Sequence, residues 1–209
     1  MGKYPAPLGR RERAKEDKRR RIMAAAGVLF AAHGVTGVTT QQIADRADIA
    51  IGTLFLYAAT KAELLIMVQN EKFAAALDDG LASAKAAEKS GASPREAVIA
   101  LVAPVVVCIR TQPENGRTYL HELLFGDPVE PHRREGIALA ARLEDGLIRI
   151  LSRDSALTAA DAVTLARVIT AIIHISASAT IHLHRTTGDI LGDIRRQIHA
   201  VLPLGRFAA

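Results

Sequence analysis

Apolar residues begin to recur at helical spacing from about Asp17. Ile22, Ala25, Ala26, Leu29 and Phe30 fall on one face. Gly34 is a natural stop, and residues 34–38 (Gly-Val-Thr-Gly-Val) are too few and too glycine-rich for another helix. Thr39-x-x-Gln42 has the form of a capping box and opens a second helix with Ile43, Ala44 and Ala47 as a small apolar face. Asp48 stands where the chain must turn, and Asp tolerates the left-handed conformation better than most residues. A third short helix is predicted over about 51–58, with Ile49, Leu54 and Tyr57 on its inward side.

The rest of the chain continues in helices. Thr60-x-x-Glu63 is a second capping box, and Leu64, Leu65, Val68 and Phe73 carry its helix to about residue 81. Residues 85–93 read as a polar, Ala-rich link. Ser93-Pro94-Arg95-Glu96 starts a helix towards Arg110, which Pro104 must kink or split. Pro113, Gly116, Gly126, Pro128 and Pro131 punctuate the middle, leaving a short helix at 117–125 and a longer one at 132–152. Thr158-x-x-Asp161 caps a long helix to about His184. Gly188-Asp189 breaks it, and a last helix covers 190–202. No strand pattern or short repeat is visible, so the predicted fold class is all-α.

Composition agrees. Hydrophobic residues make up 49% of the chain and aromatics only 4%, the balance of an Ala- and Leu-rich helical protein. The net charge of +5 favours an acidic partner. Its distribution says more: Lys3, Arg10, Arg11, Arg13, Lys15, Lys18, Arg19, Arg20 and Arg21 are opposed only by Glu12, Glu16 and Asp17. Residues 1–16 are expected to be a solvated, disordered arm, and such an arm also finds phosphate. The lone Cys108 has apolar neighbours and reads as a buried thiol. No apolar signal segment follows the basic N-terminus. The apolar stretches at 97–109 and 168–181 are broken by Pro104 or His174 and fall short of the ~20 residues of a membrane span. A cytoplasmic protein without a membrane partner is expected.

Three short helices in the first ~60 residues, the last two joined by a tight turn, match a helix-turn-helix. A recognition helix must be short, open on one face and held by the helix before it. Ile43, Ala47, Ile49 and Leu54 supply that shared core. Gly52 lets a backbone approach closely. Thr40 and Thr53 place hydroxyls near helix N-termini, where backbone amides attract phosphate. Tyr57 and Lys61 lie just beyond, ready for flanking backbone.

Leu29-Phe30-x-x-x-Gly34, Thr39-Thr40-Gln41-Gln42-Ile43-Ala44, Gly52-Thr53-Leu54-Phe55-Leu56-Tyr57 and Thr60-Lys61-x-Glu63-Leu64-Leu65 together make residues 21–65 resemble the TetR (tetracycline-repressor) family. The resemblance implies a helix-turn-helix DNA-binding domain at 17–60 and a helical ligand-binding and dimerisation domain at 61–209. It implies a dimeric regulator of transcription, more a repressor than an activator, released from a palindromic double-stranded DNA operator by a small-molecule effector. Ile51, Thr53, Phe55 and Leu56 occupy positions directed at the major groove or its rim. Thr40, Tyr57 and Lys61 occupy phosphate-contacting positions. The sequence departs from the family pattern at Asp48, where a turn glycine is usual, at Ala50 for a cap serine, at Phe55 for tyrosine and at Ala58 for phenylalanine. Apolar Ile51, Phe55 and Leu56 favour contact with thymine methyls over hydrogen-bonded readout.

In the second domain, Val163, Leu165, Val168, Ile169, Ile172, Ile173 and Ile175 make the helix after Thr158 apolar nearly all round, which calls for cover on both sides. The resemblance implies that the last two helices build a four-helix dimer interface. Val168, Ile172, Ile173, Ala179, Ile194 and Ile198 are its expected residues. Arg167, Thr170, His174, Ser178, His182 and Arg185 form a polar line that faces solvent, a dimer seam or a ligand cavity. By the same resemblance Tyr119, His121, Phe125 and His174 are candidates for the effector pocket, with simple packing and surface charge as the alternative. His182-x-His184 puts two rings on different sides of a helix and has no ligating companions, so no metal and no cofactor are expected. Two other classes compete: a DNA-organising protein without sequence preference, and a helical metal-dependent enzyme, for which no nucleophile–base motif or phosphate loop appears.

Overall fold

In the computed structural model, residues 9–202 are described. Among them the regular elements are helices: α1 (Arg10–His33), α2 (Thr40–Arg46), α3 (Ile51–Leu54), α4 (Lys61–Lys89), α5 (Pro94–Arg110), α6 (Pro113–Phe125), α7 (Pro131–Leu151), α8 (Ala159–Ser178) and α9 (Thr187–Val201), with one 3-10 turn at Thr180–His182. The chain divides into two units, one ending at Val68 and one beginning at Gln69. The division falls within α4, so this helix starts in the first unit and continues in the second.

In the first unit, α1 buries Ile22, Met23, Ala25, Ala26 and Phe30. It starts seven residues before the periodicity does. Residues 10–18 are all exposed, so no apolar face announces them. Ion pairs of Asp17 with Arg20 (2.6 Å) and Arg21 (3.5 Å), and of Arg19 with Glu16 (3.5 Å), run along this stretch. The expected arm is thus helical from Arg10, and its residues 1–8 lie outside the described residues. Gly34 ends α1 at φ 68°. The Thr39 capping box is complete: its hydroxyl accepts from Gln42 N, and the Gln42 side chain accepts from Thr39 N at 2.8 Å. Asp48 adopts φ 52°, as the turn requires. The α-helical part of the third helix stops at Leu54, four residues early. The chain then winds on with tighter bonds, Leu56 N to Thr53 O (3.2 Å) and Tyr57 N to Leu54 O (2.9 Å). Phe30, Val38, Ile43, Ala44, Ala47, Leu54, Leu64 and Leu65 are buried in one core, with Ile49, Ile51 and Tyr57 packed against it.

Thr60 caps α4 by accepting from Glu63 N (3.1 Å), while the Glu63 carboxylate accepts from Ala59 N (2.6 Å), one residue ahead of the predicted partner. The helix runs eight residues past its expected end, because residues 82–89 are mostly Ala and Lys, which favour helix. It stops before Gly91 at φ 83°.

In the second unit, the predicted helix start at Ser93 takes the form of a capping box with Glu96, and α5 continues through Pro104 without splitting. Gly116, predicted as a breaker, lies inside α6. A Cβ there would stand 2.0 Å from the Ile109 carbonyl oxygen, so the glycine permits close approach of α5 and α6. Gly80 does the same for α4 against the Leu101 carbonyl, at 2.3 Å. The helix predicted to reach His184 ends at Ser178. A second Thr-x-x-Asp box, Thr186 with Asp189, starts α9 three residues early, and Gly188 sits in its first turn. The break is held by a distant residue. Buried Arg110 of α5 donates to the carbonyls of Ala177 (3.4 Å), His182 (3.1 Å) and Arg185 (2.6 Å). By length and composition α8 is apolar enough to cross a membrane. It is packed against α6, α7 and α9, which accounts for its buried face.

Candidate DNA interface and the second unit

The first unit builds an open surface around α3. Leu54 is fully buried, whereas Leu56 is 83% exposed and Phe55 44%. Ile51 and Thr53 are half-buried, and Thr40, the first residue of α2, is likewise half-buried. A Cβ added at Gly52 would meet nothing within 4 Å. The fold itself therefore has no steric need of a glycine there. Ile51, Gly52, Thr53, Phe55 and Leu56 are thus contiguous and accessible on a helix held from beneath by Ile43, Ala47 and Leu54.

Three polar ties fix this surface. Arg21 of α1 donates to the Asp48 carbonyl (3.1 Å) and meets its carboxylate at 3.4 Å. The Lys61 ammonium donates to the Val38 carbonyl (2.9 Å), and the Tyr57 hydroxyl donates to the Lys15 carbonyl (3.1 Å). Tyr57 and Lys61 thus hold neighbouring elements together through the groups expected to reach phosphate. Sequence reasoning assigned no role to Arg21. A basic residue directly before the apolar face that begins at Ile22 was the only signal, and it does not reveal a partner 27 positions away.

Residues 22–68 match the sequence model of a family described as bacterial regulatory proteins, tetR family. It is this first segment of the chain that is similar to the tetR family. Over 60 residues it is 35% identical to the HTH-type transcriptional repressor KstR of Mycobacterium tuberculosis, and equally so to KstR of Rhodococcus jostii. These alignments cover 29% of this chain and only 27% and 28% of the two repressors. The helical architecture is similar throughout to solved tetR structures. The Thermus thermophilus repressor FadR, solved with lauroyl-CoA, has a TM-score of 0.66 at 22% identity, over 91% of this chain and 98% of that one. AibR, solved with isovaleryl coenzyme A and operator DNA, has a TM-score of 0.58 at 16% identity, over 86% and 97%. At these identities the likeness establishes the fold.

In the second unit, the four candidate effector residues have different surroundings. Tyr119 is buried, its ring 5.9 Å from Phe73. Its hydroxyl donates to Asn70 Oδ1 (2.9 Å), and Asn70 Nδ2 donates to the His132 carbonyl and the Glu135 carboxylate. Burial pushes the Tyr119 phenol up. His121 is exposed and Phe125 is 74% exposed, their rings 5.0 Å apart. His174 is half-buried, near the backbone of Thr170 and Leu120, and its Nε2 is buried without a hydrogen-bond partner. Burial lowers its pKa. An apolar groove of about 340 Å³ lies instead between α5 and α9, lined by Ile99, Val102, Ala103, Leu191, Ile194 and Ile198 with Arg195 at its edge.

The expected dimer residues divide in two. Ile173, Ile194 and Ile198 are buried within the unit's own core, so the open face does not include them. Val168 (37% exposed) and Ile175 (66% exposed) lie outward, with Ala171 exposed and Ile172 half-buried. Ala179 is the C-cap of α8. The polar line is shorter than expected, because His182 and Arg185 are off the helix. Three of its members are satisfied locally: Arg167 pairs with Glu144 (3.3 Å), and Thr170 and Ser178 donate to the carbonyls one turn back. Among the described residues no group of three or more His, Cys, Asp or Glu could hold a metal ion.

Proposed function

We propose that this chain is a transcriptional repressor of the tetR family that binds a palindromic operator as a homodimer and leaves it when a small molecule binds the helical domain. The observation that carries the reading is the surface of Ile51, Gly52, Thr53, Phe55 and Leu56, open on a helix that α1 and α2 hold from behind. Its apolar side chains suit thymine methyls, and the bare Gly52 suits close approach of a phosphate. The outward apolar face of α8, Val168 with Ala171, Ile172 and Ile175, supports a second copy as the partner, and two-fold symmetry then dictates a palindrome.

Residues 61–209 are the proposed effector and dimerisation domain. FadR and AibR were solved with acyl-CoA ligands, so acyl-CoA thioesters are the first effectors to try. α4 is one unbroken helix from Lys61 to Lys89, a continuous element through which ligand binding can bias DNA binding. A ~100-fold loss of operator affinity requires roughly 2.7 kcal/mol of coupling. The test is selection of duplexes from a random pool by the full chain, followed by titration with and without acyl-CoA thioesters. Enrichment of a palindrome whose affinity falls with the thioester is expected. Equal affinity for selected and random duplexes would replace this reading with sequence-independent DNA binding. Affinity unchanged by any thioester that binds the protein would overturn the coupling.

A further inference from the structure

The face of α1 that the helix-turn-helix covers does not end where the core ends. Ile22 is its first buried residue. Continuing the same face towards the N-terminus at helical spacing gives Arg19, Lys18, Lys15 and Arg11. The stripe turns from apolar to cationic at the point where the core stops. Arg11, Lys15 and Lys18 are exposed and make no ion pair among the described residues, whereas Arg19, Arg20 and Arg21 are tied to Glu16 or Asp17. Glu16 and Asp17 therefore pair with other cations and leave Arg11, Lys15 and Lys18 of the stripe without an ion pair among the described residues, with exposed Glu12 the one other carboxylate beside them.

This extension is also anchored. Tyr57, in the turn directly after the exposed Phe55 and Leu56, donates its hydroxyl to the Lys15 carbonyl. That bond brings the middle of the stripe beside the end of the recognition surface. A hydroxyl spent on this bond does not donate to phosphate, so Tyr57 acts through α1.

We propose that residues 11–18 of α1 are a second DNA-contacting surface, set against the phosphate backbone outside the bases read by α3, and that Tyr57 is the positioning residue that holds it there. The proposal rests on the DNA-binding reading above. Charge complementarity selects the occupant: from Arg11 to Lys18 the stripe is about 10 Å long, and one strand of duplex presents a phosphate about every 3.4 Å along its axis.

The test uses the full chain and its selected duplex in two lengths, one ending at the half-sites and one a helical turn longer at each end. Wild type is expected to bind the longer duplex more tightly and with a steeper salt dependence. The triple variant Arg11→Gln, Lys15→Gln, Lys18→Gln is expected to lose that gain, its log–log salt slope shrinking by about 0.9 for each phosphate that is no longer neutralised. Its base preference and circular dichroism should match wild type. Tyr57→Phe is expected to lose part of the same gain without changing base preference. A triple variant that keeps the gain, or loses affinity equally on both lengths, overturns the second surface. Tyr57→Phe with the full gain overturns the positioning role. Wild type that selects and binds no duplex at all would refute the DNA-binding reading itself.

Discussion

The Arg21 guanidinium lies 3.1 Å from the carbonyl oxygen of Asp48, the residue that turns the chain at φ 52°. The Asp48 carboxylate is 98% exposed, so the ion pair contributes little and the backbone contact carries the tie. Asp48→Gly should keep that contact and relieve the left-handed strain, leaving Tm unchanged or higher. Asp48→Val should cost about 1–2 kcal/mol, since a branched side chain is poorly accommodated at this φ. Thermal melting of the two variants decides. A Tm for Asp48→Gly as far below wild type as that of Asp48→Val would show that the carboxylate, and not the turn, matters.

Gly52 and Gly116 should respond oppositely to alanine. At Gly52 the added methyl meets open space, and alanine favours helix, so stability should rise by up to about 1 kcal/mol. DNA affinity should fall, because the methyl stands where a backbone approaches. At Gly116 the methyl meets a carbonyl oxygen of α5, and the variant should lose about 1–3 kcal/mol. Denaturant melts and duplex binding separate the two effects. A Gly52→Ala variant that binds DNA like wild type would remove the close approach.

What could be read from the sequence was local. Thr39, Ser93 and Thr158 announced their helices because a cap needs only its own turn, and Asp48 announced its conformation for the same reason. What could not be read depended on distant partners. Nothing in the apolar run after Thr158 shows that Arg110 will claim the carbonyls of Ala177, His182 and Arg185 and so end the helix early. Gly116 reads as a breaker until Ile109 is seen against it. The candidate recognition surface was legible as a segment, but the occupation of Tyr57 and Lys61 by Lys15 and Val38 was not.

His174 should make the protein acid-sensitive above the carboxylate range. Burial lowers its pKa below 6.5, so between the folded and unfolded values the unfolded chain binds more protons and stability rises with pH. The contribution is present above about pH 6.5 and is lost as pH falls from there through the lowered folded value. Carboxylates held low by their hydrogen bonds, such as Asp161 and Asp189, lose theirs only as pH falls below their ordinary 3.8. Melts from pH 7.5 to 5 should show a decline that His174→Gln flattens. An equal decline in both proteins would assign it elsewhere.

Arg110 is 3% exposed and has only carbonyl partners. Burial beside Arg185 lowers its pKa, yet a guanidinium remains charged. The bonds come from two separate guanidinium nitrogens, which the single nitrogen of lysine cannot replace, so Arg110→Lys should cost about 2–3 kcal/mol by leaving a carbonyl unsatisfied. Amide exchange should accelerate first at residues 177–186. Uniform acceleration across α5–α9 would argue for a general core role in place of a local clamp.

Ile173 and Ile175 are two residues apart on α8 but face different surroundings, and this separates folding from assembly. Ile173 is 3% exposed and Ile175 66% exposed. An aspartate at 173 would be buried without a partner, a penalty large against the stability of most domains, so Ile173→Asp should unfold the second unit. Ile175→Asp places its charge in water in a single chain and should cost little there. If the outward face of α8 is covered by a second copy, the same charge is buried at the seam twice over, once from each subunit. Ile175→Asp should then be a folded monomer by light scattering, with DNA affinity reduced because one molecule spans only one half-site. Val168→Asp, on the same face and 37% exposed, should behave alike. A dimer of Ile175→Asp as stable as wild type would place the seam on another surface, and a wild-type monomer at micromolar concentration would remove the seam altogether.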